Sequence, residues 1–130
     1  MFSIKLNEKA ETTAPVVFNA LTDQDALQQW FAPQVIITPT VNTYGAFAFD
    51  FDLSFRVQIT ELKPNRISWE VIEGIEDWKN TVISFDILEV NDQCEIQFEH
   101  KYLKNKNKFE QWQKSWSEFL HKLTIYCSQF

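Results

Sequence analysis

From Lys108 to Phe130 the chain reads as one helix whose apolar face is built almost wholly from large side chains. Phe109, Trp112, Trp116, Phe119, Leu120, Leu123 and either Tyr126 or Cys127 recur at steps of three and four. That is the spacing of one face of a helix. A helix this amphipathic is marginal alone in water, because its stability comes from packing that face against a partner. The segments immediately upstream are strand-like. The partner is therefore expected to be a curved antiparallel sheet, a pairing that implies an internal cavity between sheet and helix.

Other segments read by the same periodicity argument. Residues 2–9 alternate weakly through Phe2, Ile4 and Leu6 and form an opening strand. Thr12-Thr13-Ala14-Pro15 starts a short helix, with proline in its first turn and Thr13 as cap. Thr22-Asp23 caps a second, containing Ala26, Leu27, Trp30 and Phe31, and Pro33 helps to stop it. Val35-Ile36-Ile37 is a short strand ended by Pro39. From Phe47 to Ile59 every odd position is apolar, the period of a half-buried strand. The stretch is too long for one ordinary strand, so a hairpin turn is expected between Asp50 and Ser54.

Lys63-Pro64-Asn65-Arg66 is a turn, followed by the strand Ile67–Val71 and a loop over Glu73–Asp77. Thr81–Val90 is a strand, and Asn91-Asp92 turns the chain. Then Cys94, Ile96, Phe98, His100 and Tyr102 face one way while Gln93, Glu95, Gln97, Glu99 and Lys101 face the other. The order is one strand, two short helices, about six further strands and a long helix. That is an α+β fold in a single domain spanning residues 1–130.

The composition narrows the function. Aromatic residues make up 15% of the chain and only two residues are glycine, so rings must fill or line much of the interior. A net charge of −6 argues against nucleic acid or an anionic membrane surface, both of which need a cationic footprint. The lysines at 101, 104, 106 and 108 are spaced by Asn105 and Asn107 and read as a solvated turn. No apolar run approaches the roughly 18 residues of a membrane span, so integral membrane association is not expected. Cys94 and Cys127 belong to no Cys-x-x-Cys motif, which fits a reducing cytoplasm. Strand and helix rises place both thiols near one end of the molecule, without implying a disulfide.

Candidate lining residues are Trp30, Phe47, Phe49, Trp69, Phe85, Phe98, His100, Trp112, Trp116 and Phe119. His100 is the most informative. Its parity with Ile96 and Phe98 points it inward, where it is either a satisfied core group or a ligand contact or general base. Arg56 lies on the outward face, and His121 on the polar side of the last helix. Two separated histidines make no zinc site, and no phosphate loop or nucleophile elbow is present. No metal, cofactor or catalytic residue is expected.

The order of these elements resembles the helix-grip superfamily of START lipid-transfer domains, birch-pollen-allergen-like proteins and polyketide cyclases. Within it the chain looks most like the activator of heat-shock protein 90 ATPase homologue-like family. The likeness runs from Ala14-Pro15-Val16-Val17-Phe18-Asn19-Ala20-Leu21-Thr22-Asp23 through Trp30 and Gly45-x-Phe47. It continues in Val57-x-Ile59-x-x-Leu62-x-Pro64-Asn65-Arg66-Ile67-x-Trp69 and Val82-x-x-Phe85-x-Ile87. It ends in Ile96-x-Phe98-x-His100 and Trp116-x-x-x-Leu120-x-x-Leu123. The chain departs from the family pattern in a short hairpin without glycine, in Phe55 where a glycine is common, and in Cys94 where threonine is common.

The resemblance implies a ligand cavity between sheet and long helix, with an apolar small molecule or lipid as partner. Its alternatives are a protein-interaction module that binds a chaperone, with a role in stress response, and a cyclase or hydrolase using His100. A monomer or weak homodimer is expected.

Overall fold

The computed structural model describes residues Met1–Phe130. Its elements are β1 (Phe2–Ala10), α1 (Ala14–Thr22), α2 (Gln24–Trp30), β2 (Gln34–Ile36), β3 (Tyr44–Ala48), β4 (Ser54–Lys63), β5 (Arg66–Glu73), β6 (Val82–Val90), β7 (Gln93–Leu103) and α3 (Phe109–Cys127). Short 3-10 turns lie at Glu76–Trp78 and Lys106–Lys108. The strands form one seven-stranded antiparallel sheet in the order β1-β7-β6-β5-β4-β3-β2. The chain thus closes its first strand against its last, and β2 is left at the far edge. Register shifts interrupt the pairing of β1 with β7 and of β4 with β5, and such bulges bend and twist a sheet.

The long alternation is a hairpin, as its length required. The amides of Phe49 and Asp50 both bond the carbonyl of Leu53. Asp50 Oδ1 accepts from the Asp52 amide at 2.8 Å, an Asx turn that does the work of the missing glycine. Phe51 and Leu53 keep the odd parity but lie in the turn, and both are exposed. Gly74 carries a turn that needs glycine: its φ is +117°, and a Cβ there would collide with the Ser54 carbonyl oxygen and Phe55 Cα.

Two expectations fail. Thr13 sits at the start of α1 but makes no capping bond through its side chain. The orphan amide of Ala14 is taken by Glu89 Oε1 at 2.7 Å, across from β6. Tyr102 does not share the inward face with His100. Its φ of +71° puts an irregularity at the end of β7, so Leu103 turns inward, 1% exposed, while Tyr102 is 46% exposed. Asp23 does cap α2, accepting from the Ala26 amide at 3.0 Å.

The core lies between the sheet's concave face and the inner faces of the helices. Trp112, Trp116, Leu120, Leu123 and Cys127 form the buried stripe of α3, the periodicity read from the sequence. Phe109, Phe119 and Tyr126 flank that stripe half-buried. Arg56 faces solvent and pairs with Glu73 at 2.7 Å. The two free thiols are fully buried. Burial, with the nearby Cys94 thiol adding to it, pushes Cys127 up to about 12.

Candidate functional site

Rings from five strands and two helices meet under α3. Phe47 (β3), Phe55 (β4), Trp69 (β5), Phe85 (β6) and Phe98 (β7) are each at most 2% exposed, because alternate positions of neighbouring strands share one face. Phe47 and Phe55 stack at 5.0 Å, Trp69 meets Phe85 edge-on at 5.3 Å, and Phe98 lies 4.4 Å from Trp116. From α2, Trp30 donates its indole N–H to the Ala20 carbonyl at 2.8 Å and packs on Phe31 at 5.2 Å. Phe49 and Phe119, 5.5 Å apart, close the hairpin end.

All ten sequence-derived lining residues enter one connected ring network, but two residues outside that set hold it together. Phe31, 4% exposed, touches Phe47, Phe49 and Phe119 at 5.1, 5.4 and 4.9 Å and stacks on Trp116 at 5.9 Å. Trp78, 3% exposed, stacks on Trp116 at 5.6 Å and meets His100 and Trp112 edge-on at 4.9 and 5.3 Å. Phe31 follows the last residue of α2, and Trp78 sits in a polar loop between Asp77 and Lys79. The available signal was composition: a tryptophan among charged residues seldom stays in water.

His100 lies on β7, between edge strand β1 and β6, paired with Ile4 on one side and Ile83 on the other, and it is fully buried. Trp116 Nε1–H donates to His100 Nδ1 at 3.1 Å. An indole nitrogen only donates, so Nδ1 is the acceptor and the ring proton resides on Nε2. Nε2–H then donates to Thr81 Oγ1 at 2.8 Å, and the Thr81 hydroxyl donates to the Trp78 carbonyl. Burial lowers the His100 pKa to about 3, so the imidazole stays neutral. With its lone pair engaged by Trp116, the ring holds α3 to the sheet and has no free base to offer. No group of three His, Cys, Asp or Glu side chains is placed to hold a metal.

The rings of this network pack against one another with centroids 4.4–6.3 Å apart. A cleft of about 250 Å³ opens beside them, lined by Pro33, Gln34, Ala48, Phe49, Asp50 and Phe51. A larger one, about 590 Å³, lies along Ala14, Pro15, Phe18, Leu62, Lys63, Pro64 and Glu89 and includes no ring of the network. The smaller cleft bears on the sheet–helix interface because Phe49 belongs to both.

A curved antiparallel sheet gripping one long terminal helix, with two short helices after the first strand, defines a helix-grip domain. The model of the family described as "Activator of Hsp90 ATPase homolog 1-like protein" matches residues 11–128, and the chain belongs to that family. The solution structure of the Aha1 dimer from Colwellia psychrerythraea is similar at a TM-score of 0.90 and 23% identity, covering 98% of this chain and 97% of that one. A crystal structure of a Mesorhizobium loti protein is similar at 0.86 and 13% identity, covering 98% of each chain. The crystal structure of an HSP90 activator from Plasmodium falciparum is similar at 0.77 and 20% identity, covering 96% of this chain and 95% of that one. At such identities the likeness is one of fold. No curated protein sequence matches the chain.

Proposed function

We propose that the domain binds a small apolar or aromatic molecule between the sheet and α3, entering where Phe49 and Phe119 close the hairpin end. One observation carries this reading. These two rings touch each other and buried Phe31, are themselves half-buried, and one of them, Phe49, lines the 250 Å³ cleft. Sites for small ligands are commonly about 300–1,000 Å³, so the cleft becomes adequate once one of the pair rotates. The ligand is then held by ring contacts of the kind the core already makes. Titration calorimetry against fatty acids, sterols and fused-ring aromatics tests it. Absence of binding across that panel, in both the native chain and the Phe119→Ala variant, would sink the reading.

A second reading, a protein-interaction module of the Hsp90-activator type, is supported by apolar side chains left in water near the sheet edge. Ile36, Tyr44 and Phe51 are 73%, 56% and 107% exposed, and exposed apolar patches mark contact sites. Co-sedimentation with a purified Hsp90-class ATPase tests it. Complex formation weakened by Phe51→Asp supports this reading, and no complex at micromolar concentrations discards it. Buried, unoxidised thiols support a cytoplasmic setting for either reading.

A further inference from the structure

Residues 33–40 carry no charge, and Val35, Ile36 and Ile37 near their centre are all β-branched. Such a segment pairs readily with another strand. It lies at the outer edge of the sheet, since β2 has only β3 beside it, and Ile36 is 73% exposed. Unpaired donors and acceptors along an edge are a template for a further strand.

The direction of each backbone amide decides what this edge offers. β2 pairs with β3 through Gln34–Ala48, Val35–Phe47 and Ile36–Ala46. In an antiparallel pair, alternate residues point both backbone groups at the neighbouring strand and the rest point them away. The amides of Val35 and Ile37 go to side chains of α2: Val35 donates to Gln28 Oε1 and Ile37 to Gln24 Oε1, each at 3.2 Å. The outward set is therefore Pro33, Val35, Ile37 and Pro39. Proline has no N–H, so every donor in this set is either missing or taken.

The match between helix and strand is one of spacing. Residues four apart on a helix are about 6.0 Å apart along its axis, and residues two apart on a strand are about 6.7 Å apart. Gln24 and Gln28 thus meet Ile37 and Val35 in reverse order, which sets α2 antiparallel to β2. Their two oxygens stand in for the carbonyls of an added strand.

We infer that Gln24 and Gln28 hold shut a strand-addition edge, and that the partner they exclude is the same segment of a second copy of this chain. The segment is complementary to itself. Turned about a two-fold axis at Ile36, it sets Val35 opposite Ile37 of the second copy, so each N–H meets a C=O. With no charged residue from 33 to 40, nothing repels. The closure stands apart from any ligand held under α3.

Gln24→Ala with Gln28→Ala removes both acceptors and does not weaken the helix; both residues are exposed. Hydrogen exchange at the Val35 and Ile37 amides, in dilute solution, should become at least about threefold faster. In analytical ultracentrifugation the double variant should associate with rising concentration beyond anything the native chain shows. Adding Ile36→Lys sets two like charges face to face across the new contact, and should return sedimentation to that of the native chain. If the double variant does not fold, each single variant is read by the same two measurements. Unchanged exchange at Val35 and Ile37, native sedimentation of the double variant, or association that survives Ile36→Lys would each overturn the inference.

Discussion

Trp116 donates its indole hydrogen to His100 Nδ1 at 3.1 Å, and this contact joins the middle of α3 to β7, the strand next to the β1 edge of the sheet. Because the donor cannot also accept, it sets the imidazole tautomer, and that tautomer in turn gives Thr81 its hydrogen bond. A residue whose parity left open a satisfied core group, a ligand contact or a base is hydrogen-bonded on both ring nitrogens, a polar pin inside an aromatic core.

Stability should depend on pH through this pin. His100 takes a proton at about 3 in the folded chain against an ordinary value of 6.5. Between those limits the unfolded chain binds more protons, so the contribution is complete above about pH 6.5 and is lost as pH falls toward 3. Urea unfolding at about pH 7 and about pH 5 should differ by roughly 2 kcal/mol from this group, a range in which most carboxylates stay charged. His100→Gln should remove most of that slope. An unchanged slope in the variant would show that other groups carry it.

Thr81→Val should destabilise by about 1–3 kcal/mol, since it leaves the His100 Nε2–H buried without an acceptor. Trp116→Phe should cost at least as much, adding lost ring contacts to an unpaired Nδ1. Chemical denaturation measures both. A loss under about 0.5 kcal/mol in either variant would contradict the pin.

Gly74→Ala should cost about 2 kcal/mol or more. The backbone there is in a region that side chains avoid, and the added methyl group meets Ser54 and Phe55 on the neighbouring strand. The denaturation midpoint should drop with the slope against denaturant unchanged. A tolerated alanine would mean that the turn relaxes.

Cys127 should be inert toward a thiol reagent while the chain is folded. It is fully buried, and burial holds its thiol near 12, so almost no thiolate is present at neutral pH. Labelling with a disulfide reagent should follow unfolding, with both cysteines reacting together in denaturant. Rapid labelling of Cys127 in the native state would show that the end of α3 opens on its own.

Phe119→Ala should enlarge the cleft beside Phe49 at a stability loss of less than the ~3–5 kcal/mol typical of fully buried phenylalanine, because this ring is only half-buried. Calorimetry should find a fused-ring aromatic bound several-fold tighter than by the native chain. Equal or weaker binding would place the entrance elsewhere.

Much of this architecture was written in local spacing. The stripe through Trp112, Trp116, Leu120 and Leu123, the alternation around the Asp50–Ser54 hairpin and the inward parity of His100 are short-range patterns. Burial on one side of a helix or strand imposes them residue by residue, so they can be read without coordinates. What no local pattern carries is contact between distant segments. Thr81 meets His100 from 19 residues away, Glu89 caps a helix 75 residues earlier, and Trp78 enters the core from a loop of polar neighbours. A single left-handed residue at Tyr102 exchanges the inside and outside of the strand after it. Spacing along the chain determined which faces are apolar; which distant side chains meet between those faces was decided only when they packed together, because close packing joins residues that no sequence period connects.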